Sequence, residues 1–206
     1  HNETGKGYEK IIKENIYCID VDVQALDVSK KRIKDIFGFE LHNFYCCDAL
    51  LFDMKGFDLI IGNPPYIRYQ FFDRNQQIEA GDIFIKAGLK YSKLTNAWVS
   101  FVVGSSQLLK EKGKIAFVLP AELLQVSYAQ QLREFLAHFY NKINIVSFEK
   151  LVFPEIQQEV VLLLCEKDGT SSHKIEHLEL RNAESLKNLD ILKLKNRSEE
   201  HTSELQ

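Results

Sequence analysis

Short apolar runs alternate with longer amphipathic segments along most of this 206-residue chain, and this alternation restricts the possible folds most strongly. Most of the runs are continuously apolar, which is typical of parallel strands that are buried on both faces. The predicted strands are residues 15–20, 41–47, 57–61, 114–119, 143–148, 158–165 and a weaker one at 175–180. Strands that alternate with helices predict an α/β domain with a doubly wound, mostly parallel sheet.

Helical periodicity fills most of the intervals between these runs. Helices are predicted at residues 23–36, ended by Gly38, then at 93–111 and 121–140, with Asp82 capping a helix that starts near Ile83. Residues 67–81 are predicted as a loop with at most a helical turn. Because no helix separates the two strands within residues 143–165, we expect one of them to run antiparallel at the sheet edge.

The composition indicates the class of protein but restricts its function only weakly. Hydrophobic residues make up 45% and charged residues 27% of the chain, as in folded globular domains. The apolar runs are too short to cross a membrane, so a cytosolic domain is predicted. A net charge of −3 gives no basic footprint, which argues mildly against a nucleic acid partner.

The four cysteines lie in apolar, strand-like surroundings, and none of them forms a Cys-x-x-Cys pair. They are Cys18, Cys46, Cys47 and Cys165. Buried reduced thiols are therefore predicted rather than a disulfide, and no metal site is predicted.

Acidic residues follow the first two predicted strands, where ligands of open α/β sheets bind. Asp20 and Asp22 end the first strand, and Asp48 ends the second. A carboxylate at this position can accept hydrogen bonds from ribose hydroxyls, but it can equally cap the next helix. Both interpretations stay open for Asp22, and Asp20, which lies nearer the strand, is the better ligand candidate.

The third strand ends in Asn63-Pro64-Pro65-Tyr66, which is the most specific feature of the chain. Neither proline has an N–H to continue the ladder, so the backbone is stiff and its carbonyls can accept hydrogen bonds. Asn63 adds a side-chain carbonyl, and Tyr66 adds an aromatic face. The set suits an exocyclic amino group on an aromatic base, although a plain proline turn is the alternative.

Asn63-Pro64-Pro65-Tyr66, continued by Ile67-Arg68-Tyr69, resembles the catalytic motif of the γ-class DNA adenine-N6 methyltransferases of restriction–modification systems. The resemblance covers residues 15–165 and implies a class I, Rossmann-like methyltransferase fold with S-adenosylmethionine as cofactor. It implies that Asp20, and with it Asp22, binds the cofactor ribose, and that Asp48 and Ala49 bind its adenine. Asn63 and Asp82 are implied as further cofactor contacts.

The same resemblance implies how DNA is bound. The substrate would be double-stranded DNA with a flipped adenine, stacked between Tyr66 and Phe153, and no membrane is involved. Phe153 can alternatively be a core aromatic. Arg68 and Arg74 are candidates for phosphate contacts, with a solvated loop equally open. A fused or separate restriction endonuclease and a specificity module are the partners that such systems imply.

The family's first strand and its glycine-rich cofactor turn have no counterpart here, since Gly5 and Gly7 lie in a polar stretch. We therefore expect an incomplete sheet without its central strand, and a chain that is inactive alone. The predicted organisation is a lead-in at 1–14, the catalytic domain at 15–168, and a connection at 169–196 toward a target-recognition region. Residues 197–206 resemble translated sequencing-adapter DNA and are expected to be a non-native tail.

Two other functions share parts of this pattern. Protein-glutamine N5 methyltransferases, which act on release factors, share the Asn-Pro-Pro-Tyr segment, because an amide resembles an adenine amino group. The aromatic and basic residues after Tyr66 favour DNA over that alternative. A non-catalytic nucleotide-binding or DNA-binding remnant of the fold is the other alternative.

Overall fold

The computed structural model describes residues 7–92 and 95–188 of the chain. Gly5, the end of the predicted connection at 169–196 and the predicted tail at 197–206 lie outside the described residues. The chain divides into two compact units, the first up to Asp53 and the second from Met54 onward.

The first unit is a small parallel α/β motif. Its elements are α1 (Tyr8–Asn15), β1 (Cys18–Asp20), α2 (Val23–Phe37) and β2 (Phe44–Cys46). β1 and β2 run parallel, with Asp20 opposite Cys46. Helix α2 ends at Gly38, whose φ of 77° is the left-handed conformation that glycine adopts without strain, so the predicted stop is confirmed.

Helix α1 corrects the prediction of a polar lead-in followed by a strand from residue 15. Ile12 is buried, and Lys13 pairs with Glu9 one turn earlier at 2.5 Å. Residues 8–15 thus form a helix with a buried apolar side chain, which their high polarity hid from prediction. The strand begins only at Cys18.

The second unit contains a five-stranded mixed sheet and its helices. Its elements are β3 (Phe57–Gly62), α3 (Arg74–Lys86), α4 (Ala97–Leu108), β4 (Leu109–Pro120), α5 (Glu122–Gln125), α6 (Gln130–Phe139), β5 (Lys142–Phe148), β6 (Val160–Glu166) and β7 (Lys174–Leu180). Short 3-10 turns lie at Tyr69–Phe71, Ser127–Ala129, Pro154–Ile156 and Ala183–Asn188. The strand order is β3-β4-β6-β5-β7.

Parallel pairing predominates, as predicted. The pairs β1–β2, β3–β4 and β5–β7 are parallel, whereas β6 runs antiparallel to both of its neighbours. The prediction of an antiparallel strand is confirmed, but its place at the edge is wrong, since β6 lies between β4 and β5. Val160, Val161 and Leu163 are buried, and a strand this apolar is stable only inside the sheet.

Helix α3 was missed, and the helix boundaries around it differ from those predicted. Asp73 caps α3 by accepting from the Gln76 N–H, while the Gln76 side chain accepts from the Asp73 N–H. Asp82 therefore lies inside a helix and caps none, and its side chain is exposed. Beyond it, α4 ends at Leu108 instead of 111, because the chain already enters the long strand β4 at Leu109.

The helix predicted at 121–140 is interrupted. Val126 has an extended backbone, with φ −76° and ψ 145°, so α5 and α6 are separate helices joined by a 3-10 turn. Within the described residues, no helix is long and apolar enough to span a membrane. The prediction of four buried thiols is wrong for Cys46, which is exposed, while Cys165 is buried and Cys18 and Cys47 are half-buried.

The core of the second unit lies along β4, β6 and α4. Leu119, Leu163 and Trp98 are fully buried there. The hydroxyl of Tyr140 is buried as well and donates to Ser106 at 2.7 Å. In contrast, Leu59 and Ile61 on β3 expose 54% and 70% of their surface.

This contrast predicts unequal costs for the same substitution. Leu119→Ala should lower the free energy of unfolding by about 2–5 kcal/mol, because it removes buried methyl groups and leaves a cavity. Leu59→Ala, made in the neighbouring strand, should cost less than about 1 kcal/mol since that side chain is largely exposed. Denaturant unfolding of both variants measures the difference, and equal costs would contradict the described core.

Candidate active site

The end of β3 is shaped by residues that cannot continue a sheet. Gly62, opposite Phe117, is the last paired residue of β3, whereas β4 continues to Pro120. A Cβ on Gly62 would lie 3.1 Å from the Phe117 ring, so only glycine fits there without displacing the ring. Because Pro64 and Pro65 lack an N–H, pairing stops and the chain leaves the sheet.

The segment after Gly62 presents its polar groups outward. Asn63 and Pro65 are exposed, Tyr66 is half-buried and Pro64 is buried. The Asn63 side chain is therefore accessible to a substrate, while the ring of Pro64 anchors the turn. Pro120, the last residue of β4, also lacks an N–H. Its backbone therefore cannot donate a hydrogen bond to the carbonyls that follow β3.

The Tyr66 hydroxyl connects Asn63 to the sheet. Its oxygen lies 2.9 Å from Asn63 Oδ1 and 3.1 Å from the backbone oxygen of Val118 on β4. Burial raises the pKa of the Tyr66 phenol to about 12. The group is thus a neutral hydrogen-bond donor throughout the physiological pH range.

The residues after Tyr66 are fixed to helix α4. The Ala97 N–H donates to the Ile67 carbonyl at 2.8 Å, and Arg68 forms an isolated antiparallel bridge with Asn96. Together with the Tyr66 contact to β4, these bonds hold the segment at two points. The segment is thus fixed to both β4 and the start of α4.

A side-chain network that sequence reasoning missed lies at the start of α4. Asn96 donates through Nδ2 to the Tyr128 hydroxyl at 3.0 Å, and Tyr128 donates to the carboxylate of Glu122. Burial and the hydrogen bond to Glu122 raise the pKa of Tyr128. Since Asn96 lies far from the other two residues in sequence and the three form no motif, no local signal could have identified the network.

Phe153 lies in the loop between β5 and β6. It is half-buried, forms an isolated bridge with Gln158, and directly precedes the turn Pro154–Ile156. Gln157 then adopts φ 48°, an unusual backbone conformation for a residue other than glycine. Phe153 is thus not a fully buried core residue, and its stacking on a target base stays a prediction.

Three further predicted residues lie on the surface of the second unit. Arg68 and Arg74 are exposed, and neither guanidinium has an ion-pair partner within residues 7–92 and 95–188. Asp82 is exposed on α3. Phosphate contacts by the two arginines and a cofactor contact by Asp82 stay predictions.

In the first unit, the two predicted acids of β1 have different local roles. Asp22 accepts from the N–H groups of Gln24 and Ala25, at 2.8 and 3.3 Å, and so caps α2. Asp20 accepts from the Asp22 N–H at 2.9 Å through one carboxylate oxygen, which leaves the second oxygen for a ligand. The capping interpretation of Asp22 is therefore realised, and Asp20 is the better placed acceptor.

Asp48 and Ala49 lie just beyond β2, in the turn that follows it. Asp48 accepts from the Leu50 N–H at 2.9 Å, and the Cys47 N–H donates to the Asp20 carbonyl at 3.1 Å. That backbone bond joins the ends of β1 and β2. Asp20 and Asp48 thus lie at the same carboxyl edge of a parallel pair, where α/β proteins bind ligands.

Comparison with known proteins decides the family. The model of the Eco57I restriction-modification methylase family matches residues 6–153, well over half of the chain. The chain belongs to this family. The predicted relationship to restriction–modification methyltransferases is thereby confirmed. The match includes the Asn63–Tyr66 segment and ends at Phe153.

Individual relatives agree with this assignment. The chain is 25% identical over 179 residues to the Type II methyltransferase M.AccI of Acinetobacter calcoaceticus, covering 85% of this chain and 32% of the relative. It is 29% identical over 147 residues to M.HincII of Haemophilus influenzae, covering 68% of this chain and 28% of the relative. The chain thus spans about a third or less of these relatives.

Solved structures support the fold. The structure of the DrdV–DNA complex matches with a TM-score of 0.69 and 16% sequence identity, covering 86% of this chain and 22% of that one. At this identity the match concerns the fold alone, and it agrees with the predicted Rossmann-like α/β fold.

The cofactor that the family implies is S-adenosylmethionine. The acidic residues at the carboxyl ends of β1 and β2 provide acceptors of the kind that this molecule needs. The carboxylates of Asp20 and Asp48 are hydrogen-bond acceptors, as ribose hydroxyls and an adenine amino group require. The residues therefore fit the nucleoside part of the cofactor.

The role of Asp22 as a helix cap can be tested with a substitution that removes its charge but keeps a hydrogen-bond acceptor. Asp22→Ala should destabilise the first unit by about 1 kcal/mol, because it removes the cap of α2. Asp22→Asn should retain most of that stability, since asparagine caps equally well. Thermal unfolding of the two variants tests the cap. If Asp22→Asn is as unstable as Asp22→Ala, capping is not the reason for the loss.

Proposed function

We propose that this chain is the catalytic part of a site-specific DNA methyltransferase that modifies N6 of adenine in a restriction–modification system. The observation that carries the proposal is the exposed Asn63 amide, held by Tyr66 beside two prolines that have no N–H. Family membership supports methyl transfer. The adenine-N6 specificity rests on the chemistry of residues 63–66.

The amino group of adenine is a poor nucleophile, because its lone pair is delocalised into the ring. In the proposed mechanism its two hydrogens are donated to the Asn63 side-chain oxygen and to the Pro64 carbonyl. Two acceptors on one nitrogen draw it toward a tetrahedral shape and localise the lone pair. Fixed orientation of the reacting groups contributes the larger effect, about 7 kcal/mol or more.

A base inside a duplex cannot reach these acceptors. The target adenine must leave the stack, at a cost of a few kcal/mol. Stacking on Tyr66 and Phe153 would return about 1–3 kcal/mol per aromatic contact. The half-buried setting of both residues supports this role, since each keeps part of its surface accessible.

S-adenosylmethionine, when bound, supplies a methyl group on a positively charged sulfur. Within the first unit, Asp20 would accept hydrogen bonds from the ribose, and Asp48 and Ala49 would contact the adenine. Asp22 contributes by capping α2 and by donating its N–H to Asp20.

Arg68 and Arg74, both exposed, are proposed to contact DNA phosphates. An endonuclease and a specificity module, fused or separate, would complete the system in a prokaryotic cytoplasm. We further propose that residues 15–168 act as the catalytic part, and that the 206-residue chain is inactive on its own. Activity is therefore best measured in the longest native polypeptide that contains this chain.

Asn63→Ala should reduce kcat for DNA methylation by at least about 100-fold, the typical effect of removing one preorganised hydrogen-bonding group. DNA affinity should change little, because Asn63 is not proposed to contact phosphates. Transfer of labelled methyl groups to DNA and a binding titration measure the two quantities. Asn75→Ala, an equal change on the exposed surface of α3, is the matched control.

The same assay distinguishes the alternative substrate. Parallel reactions contain duplex DNA or a release factor that carries a glutamine acceptor. Label in N6-methyladenine supports the proposal, whereas label in protein alone would replace it with glutamine N5 methylation. Full activity of Asn63→Ala on DNA would show that the proposed acceptor is wrong.

A further inference from the structure

One hydroxyl proton faces two oxygen acceptors at the candidate site. Tyr66 Oη lies 2.9 Å from Asn63 Oδ1 and 3.1 Å from the Val118 carbonyl oxygen. A phenol has a single proton and therefore donates to only one of them. The Asn63 amide, in contrast, has an acceptor and a donor end, and a half-turn of the amide exchanges them.

The backbone of β4 shows which acceptor needs the proton. The Lys167 N–H donates to the Gly113 carbonyl and the Ala121 N–H donates to the Glu159 carbonyl, both at 3.0 Å. These two odd-numbered residues, Gly113 within β4 and Ala121 directly after it, thus direct their polar groups toward β6. Since backbone groups alternate along a strand, Val118 directs its carbonyl to the opposite side, toward β3.

On the β3 side, the backbone N–H that would donate to the Val118 carbonyl in a continued ladder does not exist. The parallel register pairs Gly62 with Phe117, and its next step would direct the N–H of residue 64 to the Val118 carbonyl. Residue 64 is a proline and has no N–H. The Tyr66 hydroxyl replaces that donor for a half-buried carbonyl, whereas the exposed Asn63 can bind water in either orientation.

We propose that Tyr66 is a positioning residue whose hydroxyl fixes the orientation of the Asn63 amide for catalysis. In this arrangement the amide is rotated by a half-turn from the orientation in which Oδ1 lies 2.9 Å from Tyr66 Oη. The hydroxyl then donates to Val118 and accepts from Asn63 Nδ2, and Oδ1 is turned away from Tyr66 to accept from the substrate amino group. This inference rests on the proposed function. It assigns the hydroxyl a task distinct from the stacking role of the ring.

The burial of the phenol agrees with this arrangement. Its pKa, raised to about 12, keeps the proton on the oxygen at every pH at which the protein would act. The acidic and basic residues within eight positions of Tyr66 are Asp58, Arg68, Asp73 and Arg74, and all four are exposed. The orientation of the amide is therefore expected to be independent of pH between 6 and 9, roughly the range below the tyrosine pKa.

The decisive experiment is a double-mutant cycle in the longest native polypeptide that contains this chain. Tyr66→Phe keeps the aromatic ring and removes the hydroxyl. It should lower kcat about tenfold, the factor associated with one hydrogen bond, with little change in the KM for S-adenosylmethionine. In the Asn63→Asp background, Tyr66→Phe should cost less than about threefold, because both oxygens of a carboxylate accept and need no orientation.

Tyr128→Phe is the matched control, since it removes a hydroxyl that is bonded to Asn96 and Glu122 instead of Asn63. Its effect should be equal in the two backgrounds. If the cost of Tyr66→Phe is also equal in both, the hydroxyl supports only the backbone and the proposal is overturned.

A second measurement does not depend on activity. In the 206-residue chain with labelled asparagine, the proposed orientation places an Asn63 amide proton near the Tyr66 ring. The proposal is supported by a nuclear Overhauser effect between that proton and the ring together with slow exchange of the proton, if both are lost in Tyr66→Phe. If Oδ1 faces Tyr66 instead, both amide protons exchange rapidly without such a contact, which overturns it. Should the native polypeptide methylate neither DNA nor protein, the proposed function fails, and this measurement still decides the orientation.

Discussion

The architecture of the candidate site depends on one mismatch: β3 stops at Gly62, while the adjacent strand β4 continues to Pro120. The mismatch is chemical in origin, because a proline at position 64 removes the N–H that the ladder needs next. A sheet that loses its ladder at this point leaves backbone carbonyls without strand partners. One of them is satisfied by the Tyr66 hydroxyl, and this contact brings Tyr66 beside Asn63. The feature that ends the strand thus also organises the polar groups beyond it.

A site of this kind acts by position and not by acid–base strength. Its proposed acceptors, the Asn63 amide and the Pro64 carbonyl, are neutral at every ordinary pH. Its one titratable group, Tyr66, has a pKa of about 12 because of burial and stays protonated. The segment is also bonded to two neighbouring elements, to β4 through Tyr66 and to α4 through Ile67. Such fixed dipoles cost little reorganisation at the moment of reaction, which is why they are effective in catalysis.

The sequence predicted those parts that are encoded locally, and it failed where the information is distant. Strand β3, helix α2 and its stop at Gly38 followed from short-range patterns that the structure reproduces. Helix α3 was not predicted, because the aromatic-rich residues before it show no clear period and the capping box of Asp73 and Gln76 went unrecognised. The interior place of β6 is set by competition among strands for neighbours, which no local window contains.

The proposed use of carboxylates for the ribose and of a neutral amide for the target amino group follows from the charge that each ligand develops. Ribose hydroxyls stay neutral, and carboxylates such as Asp20 are strong acceptors for them. An amino group that gains a methyl group develops positive charge and must then release a proton. A neutral amide holds such a group without retaining it as an ion pair. The amide, however, has one acceptor end and one donor end, and only the first is useful. A neutral acceptor at position 63 therefore requires a second group to select its orientation, and Tyr66, which replaces the donor that Pro64 lacks, is placed to supply it.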